Sequence, residues 1–468
     1  MKDKLIKGIF LIFVANTINM VFSILTNLLL PKFLSVDAYA DIKTFQLCLT
    51  YIGILHFGFN DGMYLKYGGK DFYQMKSSDL NCNFSTIQFA QTLMLVVGVL
   101  LGFFLGNKMV LFTALTLMPY NMMNYFKSLY QACGEFKAYG KILNAGTAGI
   151  FIVNIVLLLF LKIENATYYI LGYIFLYYII WVCLVATIRK NVDVRFSLKN
   201  VSTIELKENI EQGFLLMLGN FSSTFITSMD RWFVKFLLNT IAFAQYSFAV
   251  SMENFLNVAI TPLTTTLYNY FCKDCSVEAV SSVRKKTIVF ACGLIAAAFP
   301  VKLLIRFYLP KYIDSEKVIF LLFASQAFYV VNKSVYNNLY KAKKMQNRYF
   351  RNLLITVIIA FVFNVIGFEV MHLKEGFAWG TLFSAVVWLI IVIFDFREYK
   401  LELKEVVVLA ALVSTLLLCG NVENAVLGFC IYGMIYMIVI FLAMRESAIS
   451  LVNTAIKFIR GKKGDYNE

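Results

Sequence analysis

Long apolar runs, separated by short breaks rich in charges or turn residues, dominate the chain. The stretch from Leu93 to Gly106 reads LMLVVGVLLGFFLG and contains no polar position at all. A strand of a membrane barrel would alternate polar and apolar residues every second position. The bilayer core offers no water to backbone N–H and C=O groups, so the remaining way to cross it is a helix. The runs predict fourteen helices, near 8–31, 42–62, 84–106, 108–132, 140–162, 166–188, 212–237, 241–271, 286–308, 316–340, 350–372, 375–395, 404–421 and 424–444. The fold class expected is an all-α polytopic membrane protein. The first run is too long for the apolar region of a cleaved signal peptide, and no A-x-A site follows it.

The polar positions inside these runs are few and patterned. In the first helix Asn16, Asn19, Ser23, Thr26 and Asn27 recur at a spacing that keeps them on one helical face. Sliding the chain by 204 residues lays FLIFVAN (Phe10 to Asn16) over FLLMLGN (Phe214 to Asn220), and Ala38-Tyr39-Ala40 over Ala242-Phe243-Ala244. The same shift carries the stripe onto Asn220, Ser223, Thr227, Asp230 and Arg231, and every position stays polar. A shift of 206 lays Lys127-Ser128-Leu129-Tyr130-Gln131 over Lys333-Ser334-Val335-Tyr336-Asn337. The chain therefore reads as a parallel repeat of two pseudo-symmetric six-helix lobes, 1–200 and 201–400, followed by two further helices (401–445) and a basic tail (446–468). Matched polar stripes predict a cavity between the lobes. The alternative use of Asn, Ser and Thr in a membrane is to join helices by hydrogen bonds.

Composition narrows the function. Sixty per cent of the 468 residues are hydrophobic and 15% charged, against roughly 45–50% and about 25% in soluble domains, and the mean hydropathy is +0.70. The net charge of +15 is a topology signal: 32 of the 43 Lys and Arg residues fall on one side of the predicted helices. The positive-inside rule puts that side, and both termini, in the cytoplasm. A nucleic-acid partner is excluded as the meaning of the charge. The loops on the other side are short, leaving no outer domain to house the catalytic residues of a polysaccharide polymerase or ligase.

A charge near the bilayer centre costs at least about 2.5–3.5 kcal/mol, so those retained there are candidates for function. They are Asp230 and Arg231 in the seventh helix, Glu253 in the eighth beside Asn254 and Asn257, and the repeat-related Lys127 and Lys333. The two lysines either face the cavity or snorkel to the headgroups. Lys302 and Arg306 read as interfacial anchors. Arg231, Lys127 and Lys333 set among amides and hydroxyls suit an anionic, hydroxyl-rich ligand, since such bases form charge-assisted bonds to phosphate. Asp230 and Glu253 are the candidates for proton or sodium coupling. Pro119, Pro262 and Pro300 supply bending points. The pair Cys272 and Cys275 lacks the second pair that a zinc site needs, and no other cofactor or metal is expected.

Three segments carry a family resemblance: NTINMVFSILTNLLLPKFLSVDAYADIKTFQ, LGNFSSTFITSMDRWFVKFLLNTIAFAQYSFA and TPLTTTLYNYF. They resemble polysaccharide repeat-unit flippases of the multidrug/oligosaccharidyl-lipid/polysaccharide exporter superfamily. The resemblance implies a flippase of the bacterial cytoplasmic membrane. It would move undecaprenyl-pyrophosphate-linked oligosaccharides of O-antigen, capsule or exopolysaccharide by alternating access, amid membrane lipids and other polysaccharide-assembly proteins. The glycan and pyrophosphate would sit in the cavity and the lipid tail in the bilayer. Cation-coupled multidrug antiporters of the same superfamily are the competing expectation. Lipid II flippases carry basic residues in the first helix, whereas this one has Asn16, Asn19 and Asn27.

Overall fold

The computed structural model describes residues 2–464, with side chains described except at 2–13, 191, 223, 265, 266, 269, 346 and 454–464. Helices occupy each of the fourteen predicted segments, and no strand occurs among the described residues. Ten helices are long and apolar enough to cross a membrane, which makes this a multi-pass membrane protein. The second segment would be an eleventh, bent by 59° at its break. The predicted spans that miss this measure are the second, fourth, seventh and eighth. They carry Asp61, Lys127, the Asp230–Arg231 dipeptide and Glu253, so the spans that fall short are ones with charges inside them.

The chain divides into two compact units, Met1–Ser223 and Thr224–Glu468. Unit 1 holds α1 (Lys2–Phe33), α2 (Val36–Ile52), α3 (Phe59–Tyr67), α4 (Ser77–Phe104), α5 (Lys108–Ala132), α6 (Phe136–Ile155), α7 (Ala166–Val192) and most of α8 (Thr203–Ile226). Its core forms where α1 packs on α6 and where α5 packs on α4 and α7. The carbonyl of Leu115, which Pro119 leaves without its helical donor, accepts the Tyr178 hydroxyl at 3.1 Å. Gly58 and Gly62 let α3 meet α8 backbone to backbone: a Cβ on Gly62 would stand 2.0 Å from the Asn209 carbonyl oxygen.

Unit 2 holds α9 (Met229–Leu237), α10 (Thr240–Glu253), α11 (Asn257–Lys273), α12 (Val277–Leu294), α13 (Ala298–Tyr308), α14 (Glu316–Val331), α15 (Asn337–Ala342), α16 (Gln346–Met371), α17 (Lys374–Asp395), α18 (Leu403–Gly420) and α19 (Ala425–Gly464). The tenth span is the interior one: 89% of its apolar window is buried, with α10, α12, α17 and α18 around α14. The last two helices are fastened by polar bonds. Buried Arg284 pairs with buried Glu405 at 2.9 Å, and Lys302 donates to the carbonyls of Gly420 and Val422. Lys302 is thus a buried fastener, 2% exposed, where its sequence position suggested an interfacial anchor.

Besides the bent second span, several predicted helices are interrupted. The seventh breaks between Ile226 and Met229. The eighth passes through a 3-10 turn at Asn254–Leu256. A 3-10 turn at Ile295–Ala297 also covers the residue four before Pro300, the position whose helical bond that proline cannot donate.

The internal repeat has a structural counterpart. α1 ends at Phe33 and α9 at Leu237, 204 residues on. Ser35 caps α2 by accepting from the Ala38 N–H, and Asn239 caps α10 by accepting from the Ala242 N–H, again 204 apart. Further along the register drifts. α5 ends at Ala132 and α15 at Ala342, 210 apart, so Lys127 and Lys333 stand one helical turn out of equivalence. A π-helical turn at Asn332–Tyr336, absent from α5, accompanies that drift.

Candidate functional site

In unit 1 the polar stripe of α1 is put to mixed use. Asn16 is exposed. Asn19 spends its amide on α6, donating to Thr147 Oγ1 at 2.5 Å and to the Leu143 carbonyl. Asn27 donates to the Ser23 carbonyl, and its own oxygen accepts from Lys43 Nζ at 2.7 Å. Lys43 is 6% exposed and lies 5.3 Å from the Tyr39 ring centre. Sequence reasoning missed this base. The apolar pattern starts the second span at residue 42, with Lys43 at its rim, whereas α2 starts at Val36 and buries Lys43 two turns in. The stripe residue Asn220 donates to Asp61 Oδ1 of α3 at 3.3 Å. Lys127 is half-buried and donates to Asn124 on its own helix. The side chain of Ser223 lies outside the described residues.

Just ahead of the membrane segment of α8, Glu205 accepts from Lys66 at 2.7 Å, from Asn83 and from Asn209. Burial alone would raise this carboxyl, but those donors outweigh it and hold it below the ordinary glutamate range.

Unit 2 gathers Asp230, Arg231, Glu253 and Lys333. Asp230 sits in the first turn of α9, where a carboxylate is favoured by the helix dipole. It is 4% exposed. Its Oδ2 accepts from the Tyr246 hydroxyl at 2.6 Å and from Thr381 Oγ1 at 3.2 Å, and its Oδ1 accepts from the Arg231 N–H. The acid and base adjacent in sequence form no ion pair. Arg231 instead keeps a buried Nε–H without a partner. Glu253 accepts from the Gln326 amide of α14 and lies within electrostatic reach of Asp230, Lys333 and Arg231. Lys333, in the π turn, stands 5.3 Å from the Tyr329 ring centre. Such turns in an otherwise α-helical segment are frequent at functional sites, and this one leaves both polar atoms of the buried Asn332 amide unpaired. Thr227 is exposed and bonds back to the Thr224 carbonyl at the helix break. Asn257 donates to Asn254 across the 3-10 turn.

No cluster of three or more metal-ligating side chains occurs among the described residues. Asp230 with two hydroxyl oxygens is an oxygen-rich set that suits a proton or a small hard cation. Tyr246, Thr381 and Gln326 were not foreseen. They hold the two acids from other helices, and a single apolar-patterned helix gives no sign of which partner its acid meets.

No protein-family model matches the chain, and no curated protein matches it. Solved structures do. The lipid II flippase MurJ in an inward closed conformation superposes with a TM-score of 0.66 at 14% identity, covering 93% of this chain and 99% of that one. An inward-facing multidrug-resistance MATE transporter of the MOP superfamily gives 0.55 at 13% identity, covering 86% and 99%. The Vibrio cholerae MATE transporter VcmN gives 0.53 at 12% identity, covering 84% and 96%. The chain has the fold of MOP-superfamily transporters.

Proposed function

We propose that the protein is a flippase that moves undecaprenyl-pyrophosphate-linked oligosaccharide repeat units across the bacterial cytoplasmic membrane by alternating access, with both termini in the cytoplasm. The observation that carries this reading is Arg231. Its neighbour Asp230 is already bonded to Tyr246 and Thr381, while the guanidinium keeps a buried donor free. A cation held in that state is set for an incoming anion such as a pyrophosphate. Amides and hydroxyls at the repeat-related positions would exchange for water around the sugar hydroxyls. Asp230 and Glu253 are the acids through which a proton or sodium gradient would drive the cycle.

The second reading is a cation-coupled antiporter of small organic cations, favoured by the same two acids and by the fold shared with MATE transporters. The purified chain in proteoliposomes distinguishes them. The flippase reading expects translocation of a fluorescent polyprenyl-pyrophosphate oligosaccharide and no gradient-driven extrusion of a cationic dye. Dye extrusion without glycolipid movement would establish the antiporter.

A further inference from the structure

At the end of α7 that bears its bases, unit 1 has a groove of about 550 Å³ unconnected with the polar residues described above. Its wall is one face of α7, made by Trp181, Val182, Val185 and Ala186, and its rim is Arg189, Lys190, Asp193 and Arg195. The apolar face continues along the helix through the exposed Phe175 and Ile179, as it must where acyl chains lie against a span. From Trp181 to Lys190 the helix rises about 13 Å, a length matched to the upper part of a lipid chain below its headgroup.

The rim is built rather than loose. Asp193 takes a left-handed backbone conformation, φ 50°, that ends α7 and turns the chain back. The returning segment is then fastened to α4. Asn81 Oδ1 accepts the Arg195 N–H at 2.6 Å, Ser85 Oγ accepts the Ser197 N–H, and Thr86 Oγ1 accepts the Ser202 N–H. Val194 between the charges is fully buried. At the groove floor, Trp181 donates to Gln88 Oε1 at 3.0 Å, which fixes the indole.

The bases are under-used. Arg195 gives its Nε–H to Asp193 at 2.8 Å and has no bonded partner for its terminal nitrogens. Arg189 and Lys190 are exposed and make no ion pair. Three positive groups face one acid, and Phe196 and Leu198 stand exposed beside them. Exposed apolar side chains interleaved with unpaired bases at the end of a span are what a headgroup layer satisfies from both sides.

We propose that this groove is a binding site for an anionic phospholipid, with the phosphate held by Arg189, Lys190 and Arg195 and one acyl chain laid along Trp181, Val182 and Val185. The charge complementarity selects an acidic lipid over a zwitterionic one, and the site works independently of what the protein transports.

The test uses the full chain with Trp232, Trp379 and Trp388 replaced by Phe, so that Trp181 is the reporter. The protein is reconstituted in phosphatidylcholine vesicles containing either brominated phosphatidylglycerol or brominated phosphatidylcholine. Quenching of Trp181 is expected to favour phosphatidylglycerol by about tenfold in apparent affinity, and less at high salt. Arg189→Gln, Lys190→Gln and Arg195→Gln together should abolish the preference, whereas Lys207→Gln, outside the groove, should leave it. Val185→Trp, read by retention of phosphatidylglycerol in native mass spectrometry, should expel the lipid with every base in place. Equal quenching by the two lipids, or a preference that survives the triple variant, overturns the proposal.

Discussion

The opening helix pair of each unit is built on one frame and furnished differently. α1 and α9 end 204 residues apart, and the caps of α2 and α10, Ser35 and Asn239, keep that spacing to the residue. Within the frame the charges move. Unit 1 carries its base on the second helix, Lys43, bonded to Asn27 on the first. In unit 2 the counterpart of Asn27 is Arg231 and the counterpart of Lys43 is Ser247, whose buried hydroxyl has no partner. Thr26, also buried without a partner for its hydroxyl, corresponds to Asp230, which three donors satisfy. Ends and caps carry the fold. The polar layer between them is free to change so long as each unit retains a base, and a retained buried charge is costly enough to need a use.

The largest effect that would sharpen this contrast is expected at Arg231. Arg231→Met should lower translocation of the pyrophosphate-linked glycan by about 10–100-fold, the worth of one charge-assisted bond, with Arg231→Lys intermediate in the proteoliposome assay. Next comes Lys43→Met, which keeps an unbranched apolar stem and removes the charge together with its bond to Asn27. About a tenfold loss with unchanged thermal unfolding is expected; unchanged transport would break the symmetry between the units. Asp230→Asn should uncouple transport from the ion gradient while Arg231 stays in place, read as translocation rates with and without an imposed gradient.

Changes to the frame should act on stability and spare the glycolipid selectivity. Tyr178→Phe strips the donor from the Leu115 carbonyl and should cost about 1–3 kcal/mol in thermal unfolding. In a Pro119→Ala background, where the helical N–H returns, the same change should cost less. The smallest effect concerns Glu205. Its carboxyl lies below its unfolded value, so its contribution is complete above that value and is lost as pH falls through the folded one. Thermal unfolding followed downward from neutral pH should show a loss that Glu205→Gln lacks.

Much of the fold was legible because bilayer physics writes helices as apolar runs, and the repeat because caps and stripes recur at one spacing. The breaks in the seventh and eighth helices were not, since nothing in the runs around Thr227 or Asn254 differs from continuous helix. The site was legible in its charges and obscure in its pairing. Asp230 and Arg231 stand adjacent in sequence yet turn to different partners, because the hydroxyls of Tyr246 and Thr381 come from helices that no local pattern links to α9. Lys43 was hidden by a boundary placed six residues late. Asn19 shows the opposite case, a stripe residue whose amide joins α1 to α6.

The most direct measurement moves one unit's chemistry into the other. Asn27→Arg with Lys43→Ser gives the first helix pair of unit 1 the base and hydroxyl that unit 2 carries as Arg231 and Ser247. Translocation of a fluorescent polyprenyl-pyrophosphate oligosaccharide should be restored in this double variant well above the level of Lys43→Ser alone. A double variant no better than Lys43→Ser, with both proteins folded in the membrane, would contradict the claim that each unit needs only a base within the same frame.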